Sequence, residues 1–224
     1  MGREKSGVSR KQFMLLEGAP ILIHTIRKFF LSAAVSEIVV ALRAEDMDWA
    51  RGLILQEHPP KPVRVVEGGE TRQQSVENAL ATLSPDTALV AVHDAVRPFI
   101  GDEIIENVIC EVEKHGAAIA GLPAVDTIKQ VERAAEGAIV TSTISRERVV
   151  QAQTPQGFRY ELIKRAFNSA AADGFIGTDE ASLVERLGEE VWVVMGSARN
   201  IKITTPADME LAGFYLRERS RKPT

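Results

Sequence analysis

The sequence predicts an α/β fold with a mostly parallel sheet and one inserted β-hairpin, on three observations. Short apolar runs alternate with amphipathic ones along nearly the whole chain. The apolar runs are near-continuous, as expected of parallel strands covered on both faces. Between Leu122 and Gln153 the rhythm breaks into a stretch where Thr, Ile and Val recur around a central Glu136-Gly137. That stretch reads as two strands joined by a turn, serving as a lid or as an arm to a second subunit.

The strands are predicted over 37–42, 63–66, 88–92, 117–122, 191–195 and 201–204. The helices are predicted over 20–30, 46–56, 71–83, 102–114, 160–172, 179–187 and 206–217. In the helix after Gly101, residues Ile104, Ile105, Val108, Ile109 and Val112 share one face, the stripe of a core-facing helix. Thr71 and Gln74 have capping-box spacing. Thr205 precedes Pro206, with Asp208 three residues after Thr205. This is a cap, an N1 proline and an acidic first turn.

A chain of 224 residues that is 45% hydrophobic can bury a sizeable core. It has no run of about 18 apolar residues that would read as a membrane span. The net charge of −4, from 27 basic and 31 acidic residues, disfavours a general nucleic-acid binder, which needs a basic excess. A local cationic pocket for a small phosphate ligand stays compatible with it. The lone Cys110 can form neither an intrachain disulfide nor a cysteine-rich metal site, which suits a reducing, cytoplasmic setting. No G-x-G-x-x-G follows any predicted strand, which argues against a nicotinamide-binding enzyme. Residues 1–6 fit the loose M-G-x-x-x-[ST] myristoylation pattern, which is too permissive to carry an assignment.

In open α/β sheets, ligands bind beyond the carboxyl ends of the strands. Four polar clusters occupy such positions: Gly68-Gly69-Glu70-Thr71, His93-Asp94, Asp126-Thr127-Ile128-Lys129, and Asn200 with Lys202. Asp94 has two readings. It is a single-carboxylate Mg²⁺ ligand of the kind completed by substrate phosphates, or it pairs with Arg97 and caps its own turn. Arg97 carries a fork suited to an anion. His93 reads as a packing or hydrogen-bonding residue. Gly68 and Gly69, before a helix start, leave backbone N–H groups for an anion or a base edge. Ser75 lies one turn further on, on the side of Thr71. Lys11 precedes an apolar run, and Lys202 falls between Ile201 and Ile203 with its side chain on the opposite face from theirs.

Seven segments, in order and across nearly the whole chain, closely resemble the 2-C-methyl-D-erythritol 4-phosphate cytidylyltransferase family of the non-mevalonate isoprenoid pathway. They are KQF (11–13), EGGETRQQSV (67–76), VHDAVRP (92–98), DTIK (126–129), QTPQGF (153–158), TDEAS (178–182) and NIKITTPAD (200–208). The resemblance implies one Rossmann-like nucleotidyltransferase domain over 1–224, with residues 123–153 as the arm of an interlocked homodimer. It implies transfer of CMP from CTP to methylerythritol phosphate, with release of pyrophosphate. Asp94 would bind Mg²⁺, and Lys11 would steady the α-phosphate. Gly68, Gly69, Glu70 and Ser75 would surround the cytidine. Arg97, Thr127, Arg146, Thr154 and Lys202 would hold the sugar phosphate beside Asp94, with Thr127 and Arg146 supplied by the partner's arm. Lys11, Lys202 and Arg146 are the residues it makes catalytic. Glu70 stands where many members have Asp.

The family opens with a strand and a glycine-rich loop, roughly A-A-G-x-G-x-R-M-G, of which Met1-Gly2 fits the last two residues. The expectation is a start taken too late, or else a catalytically impaired dimeric binding module. The nearest enzyme alternative is ribitol 5-phosphate cytidylyltransferase, against which Lys129 and the TDEAS segment stand.

Overall fold

In the computed structural model, residues 11–221 are described, with side chains through Glu218. The Met1-Gly2 match and the myristoylation-like hexapeptide lie outside them. After a one-turn helix (Lys11–Phe13), the chain forms β1 (Leu15–Leu16), β2 (Ala19–Pro20), α1 (Ile21–Leu31), β3 (Ile38–Leu42), α2 (Ala44–Gln56), β4 (Val63–Glu67) and α3 (Arg72–Ala81). There follow β5 (Leu89–Val92), α4 (Asp102–His115), β6 (Ala117–Pro123), β7 (Ile128–Ala134) and β8 (Gly137–Ile144). A second one-turn helix (Arg146–Arg148) leads into β9 (Val150–Arg159), α5 (Tyr160–Ala172), α6 (Glu180–Arg186), β10 (Trp192–Met195) and α7 (Pro206–Arg221). The fold is the predicted α/β one, but its larger sheet is mixed rather than mostly parallel, because β9 runs antiparallel to both of its neighbours. Among the described residues, no helix is long and apolar enough to cross a membrane.

The chain divides into two units. The first comprises the residues up to Ser84, His93–Asp102, and those from Arg199 onward. In it β3 and β4 pair in parallel, from Ile38 opposite Val63 to Leu42 opposite Glu67. Leu22, Ile23 and Ile26 of α1 close over Val40 and Leu42 of β3 and over Ala50 and Ile54 of α2. A second cluster joins Leu16, Ile21, Ile203 and Ala212. β1 and β2 form a tight hairpin through Glu17 and Gly18, both at positive φ (49° and 87°).

The second unit holds Pro85–Val92 and Glu103–Ala198. Its four-stranded sheet has the order β10-β6-β9-β5. β10 runs parallel to β6, while β9 lies antiparallel between β6 and β5. β9 escapes sequence reading because Gln153, Pro155, Gln156 and Gly157 interrupt its apolar pattern. Its buried amides are satisfied by partners distant in sequence. Gln153 donates to the Ser197 carbonyl and accepts from the Ser197 N–H. Gln156 donates to Asp179 and accepts from the Ala181 N–H. Four of the five residues in the predicted α4 stripe, Ile104, Ile105, Val108 and Val112, are buried.

The inserted hairpin forms as predicted. β7 and β8 pair antiparallel from Ile128 opposite Ile144 to Ala134 opposite Gly137. The rest of the 123–153 segment comprises the second one-turn helix and the first residues of β9.

The predicted strand over 201–204 is not one among the described residues. Its backbone donors go elsewhere: Ile203 N–H to the Val96 carbonyl at 3.0 Å, and Thr204 and Thr205 N–H to the Asp208 carboxylate at 2.9 and 2.8 Å. The cap of α7 takes the hydrogen bonds that a ladder would need.

Gly157 shows how closely β9 meets α4. A Cβ there would stand 2.7 Å from Val112 Cγ2 and 2.8 Å from Val108 Cγ1. Replacing it with Ala overpacks a buried site, so Gly157→Ala is expected to cost about 1–3 kcal/mol. Urea unfolding reads this as a lower midpoint at unchanged slope.

Candidate active site

The turn after β5 is fixed from several directions. Arg97 N–H closes it on the Asp94 carbonyl at 3.0 Å. Thr25 of α1, 4% exposed, donates its hydroxyl to the Ala95 carbonyl at 2.8 Å. His93 Nε2 lies 3.1 Å from the Arg97 carbonyl, and its ring meets Phe29 edge-on at 4.9 Å. His93 is therefore a packing and hydrogen-bonding residue, as the sequence reading expects.

Among the described residues, three cations converge on the carboxylate that this turn presents. Lys202 Nζ lies 3.1 Å and Arg97 Nε 3.2 Å from Oδ2 of Asp94, and Arg72 Nε lies 3.4 Å from Oδ1. Arg97 also donates to the Asn200 carbonyl at 2.7 Å, which ties the segment carrying Lys202 to the turn. Burial works to raise the Asp94 pKa, but Lys202, Arg72 and Arg97 outweigh it and hold the carboxyl below its ordinary value. Asp94 is therefore ionised across the neutral range. The side chains of Asp94 and Arg97 are about one-tenth exposed, at 10% and 11%, whereas Arg72 and Lys202 stand open at 38% and 43%.

The glycine loop belongs to the same unit. Gly68 N–H donates to the Leu42 carbonyl at 2.7 Å, and Gly69 N–H donates to Ser75 Oγ at 3.1 Å. A Cβ on Gly68 would stand 2.8 Å from Ser75 Oγ, and one on Gly69 would stand 2.3 Å from Gln74 Cβ. Only glycine permits so close an approach of loop to helix. The predicted capping box is present, with Gln74 N–H on Thr71 Oγ1 and Thr71 N–H on Gln74 Oε1, both at 3.1 Å. Glu70 is exposed. Lys11 opens the first one-turn helix, half-buried. Phe13 of that turn packs on the core cluster that Ala95 also touches.

The remaining expected residues lie in the second unit. Thr127 and Arg146 flank the base of the hairpin, both exposed. Arg146 Nη1 donates to the Val125 carbonyl at 2.8 Å. Thr154 is 4% exposed within β9. The structure thus gathers Asp94, Arg97 and Lys202 into one cluster, and Gly68, Gly69 and Ser75 into one loop. Sequence reading missed Arg72 and Thr25. The available signal for Arg72 was its place as the first helical residue after a strand-end glycine loop.

The whole chain, not only these clusters, matches known proteins. The model of the family "2-C-methyl-D-erythritol 4-phosphate cytidylyltransferase" matches residues 2–218. The chain belongs to this family. It is 61% identical over 221 residues to the 2-C-methyl-D-erythritol 4-phosphate cytidylyltransferase of Solibacter usitatus, covering 99% of this chain and 91% of that one. To that of Acidobacterium capsulatum it is 59% identical, covering 95% and 89%. Among solved structures, the 4-diphosphocytidyl-2C-methyl-D-erythritol synthase of Anaerococcus prevotii superposes with a TM-score of 0.85 at 32% identity, covering 93% of this chain and 90% of that one. The Thermus thermophilus cytidylyltransferase gives 0.77 at 34%, covering 92% and 93%. Membership in the 2-C-methyl-D-erythritol 4-phosphate cytidylyltransferase family makes the chain a nucleotidyltransferase.

Asp208 anchors the segment that carries Lys202. Hydrogen bonds from the backbone of Thr204 and Thr205 lower its pKa to about 2. A depressed carboxylate stabilises the fold above its unfolded pKa of about 4 and loses that contribution as pH falls through the folded value. Asp208→Asn is expected to lower the urea midpoint at pH 7, with the gap to the unsubstituted chain closing between pH 4 and 2. A gap constant across that window would show that the carboxylate charge does not matter.

Proposed function

We propose that this chain performs its family's reaction, transferring CMP from CTP to 2-C-methyl-D-erythritol 4-phosphate, through the cationic cluster at Asp94. The observation that carries this reading is one ionised carboxylate with three cations within 3.1–3.4 Å, in a chain of this family. The acceptor's phosphate oxygen forms a bond to the α-phosphorus of CTP, and the bond from that phosphorus to the bridging oxygen breaks, so pyrophosphate leaves. A phosphate monoester, with a second pKa of about 6, is largely ionised near neutrality, so no general base is required. The obstacle is repulsion. Two unit charges about 4 Å apart repel by about 4 kcal/mol at an effective dielectric of about 20. Removing that cost is worth about a thousandfold in rate.

The residues fit a divalent cation of the magnesium type. Asp94 offers a hard, ionised oxygen ligand. No group of three or more metal-ligating side chains occurs among the described residues, in keeping with an ion that takes one or two carboxylates and completes its shell with phosphates. Asp94 would hold Mg²⁺, which supplies charge neutralisation of the phosphates when bound. Lys11 steadies the α-phosphate, and Gly68, Gly69, Glu70 and Ser75 line the cytidine. Arg97 and Lys202 hold the sugar phosphate, joined by Thr127 and Arg146 from a partner's hairpin.

A second copy is supported by the hairpin itself. Its apolar residues stand open, with Ile139 at 64%, Val140 at 56% and Val131 at 48% exposure. An isolated two-stranded ribbon is marginal in water. Lone, exposed Cys110 suits a cytoplasmic enzyme. High identity to methylerythritol enzymes over nearly the whole chain favours that acceptor over ribitol 5-phosphate.

Pyrophosphate release with CTP, Mg²⁺ and either sugar phosphate tests the reading. Turnover is expected with methylerythritol phosphate, and faster turnover of ribitol 5-phosphate would overturn it. Asp94→Ala is expected to lose at least about a hundredfold in turnover, in the range of lost electrostatic groups, with its melting temperature little changed. Mixing Arg146→Ala with Asp94→Ala subunits is expected to restore part of the activity, since one site in the mixed dimer is intact. Absence of rescue would place Arg146 in its own subunit's site.

A further inference from the structure

Arg72 is the cation at Asp94 to which no role has been given. It reaches Oδ1, whereas Arg97 and Lys202 both sit on Oδ2. Its contact, at 3.4 Å, is the longest of the three. Arg97 is one-tenth exposed and also committed to the Asn200 carbonyl. Moving it would strip buried donors of their partners, a costly change. Arg72 is more than a third exposed and is the first residue of α3, directly after the loop of Gly68, Gly69 and Glu70. A phosphate-bearing ligand entering that loop meets it, and a second cation drawn to Oδ1 repels it.

We propose that Arg72 is an exchangeable counter-ion and positioning residue. Its guanidinium holds Asp94 Oδ1 in the ligand-free chain, and passes to a phosphate of the nucleotide when a divalent cation takes that oxygen. The inference rests on the reading of Asp94 as the metal-holding carboxylate. Arg72 then serves both states. It keeps a carboxylate that is largely removed from water paired, and it offers the incoming phosphates a planar fork. It also links occupancy of the glycine loop to release of the metal ligand.

The test uses the full chain and two binding measurements without turnover: Mn²⁺ binding by paramagnetic resonance, and calorimetric binding of CTP with Mn²⁺. For Arg72→Gln, Mn²⁺ alone is expected to bind several-fold more tightly than to the unsubstituted chain, because its competitor is gone. CTP with Mn²⁺ is expected to bind about tenfold more weakly, the loss of one charge-assisted contact. Arg72→Lys keeps the charge without the fork and is expected to fall between the two on both measures. It decides the matter should the Gln variant fail to fold. Weaker binding of both Mn²⁺ and CTP would mean that Arg72 only supports Asp94, and unchanged CTP binding would mean a surface pair; either overturns the proposal. Asp94→Asn is the separate control. If it leaves Mn²⁺ affinity in the presence of CTP unchanged, the metal reading itself falls, whatever Arg72 does.

Discussion

The candidate site depends on one largely enclosed charge that must not lie alone. Asp94 is about one-tenth exposed, and an ionised carboxylate taken from water is costly unless it is paired and hydrogen-bonded. Among the described residues, three cations meet that demand. The same demand shapes the backbone nearby. Thr25 fixes the turn at Ala95, Ile203 N–H fixes the Lys202 segment at Val96, and Arg97 ties turn and segment together through the Asn200 carbonyl. The carboxylate organises its own cradle, and the cradle keeps the cations where a second anion would need them.

What the sequence disclosed was what local chemistry decides. The Thr71 capping box, the Thr205–Asp208 cap, the α4 stripe and the hairpin around Gly137 are each written within a few residues, and each stands in the structure. β9 and the segment at 201–204 were misread for one shared reason, since their hydrogen bonds are settled by partners that apolar periodicity does not reveal. The amides of Gln153 and Gln156 are buried in a strand because Ser197, Asp179 and Ala181 satisfy them. Thr204 and Thr205 spend their donors on Asp208. Asp94 offered two readings from spacing, metal ligand or turn cap, and the structure pairs it with Arg97 at 3.2 Å. Arg72 carried little local signal because it matters through a residue 22 positions away. Arg146 entered only through the resemblance, whereas Thr127 also stood in a polar cluster after a predicted strand.

The polar interior of β9 is held by partners distant in sequence. A buried amide network is favourable only when fully satisfied. Gln156 bridges the strand to the N-cap of α6, where Asp179 also receives the Ser182 N–H. The TDEAS segment is thereby a structural clasp in this chain: its Asp caps a helix and its Ser completes the box. Thr154 lies between the two anchored glutamines, so its position is set by groups on both sides of it.

A histidine beside an aspartate invites the idea of a proton relay, and the geometry argues against it. His93 Nε2 is engaged with the Arg97 carbonyl and its ring with Phe29. Asp94 turns its carboxylate instead to Lys202, Arg97 and Arg72. A relay would require the imidazole and carboxylate to share a proton. Here the histidine braces the turn from its packed side while the carboxylate faces the cations. Such a division suits a reaction between groups that are already ionised, where charge has to be balanced and no proton has to be moved.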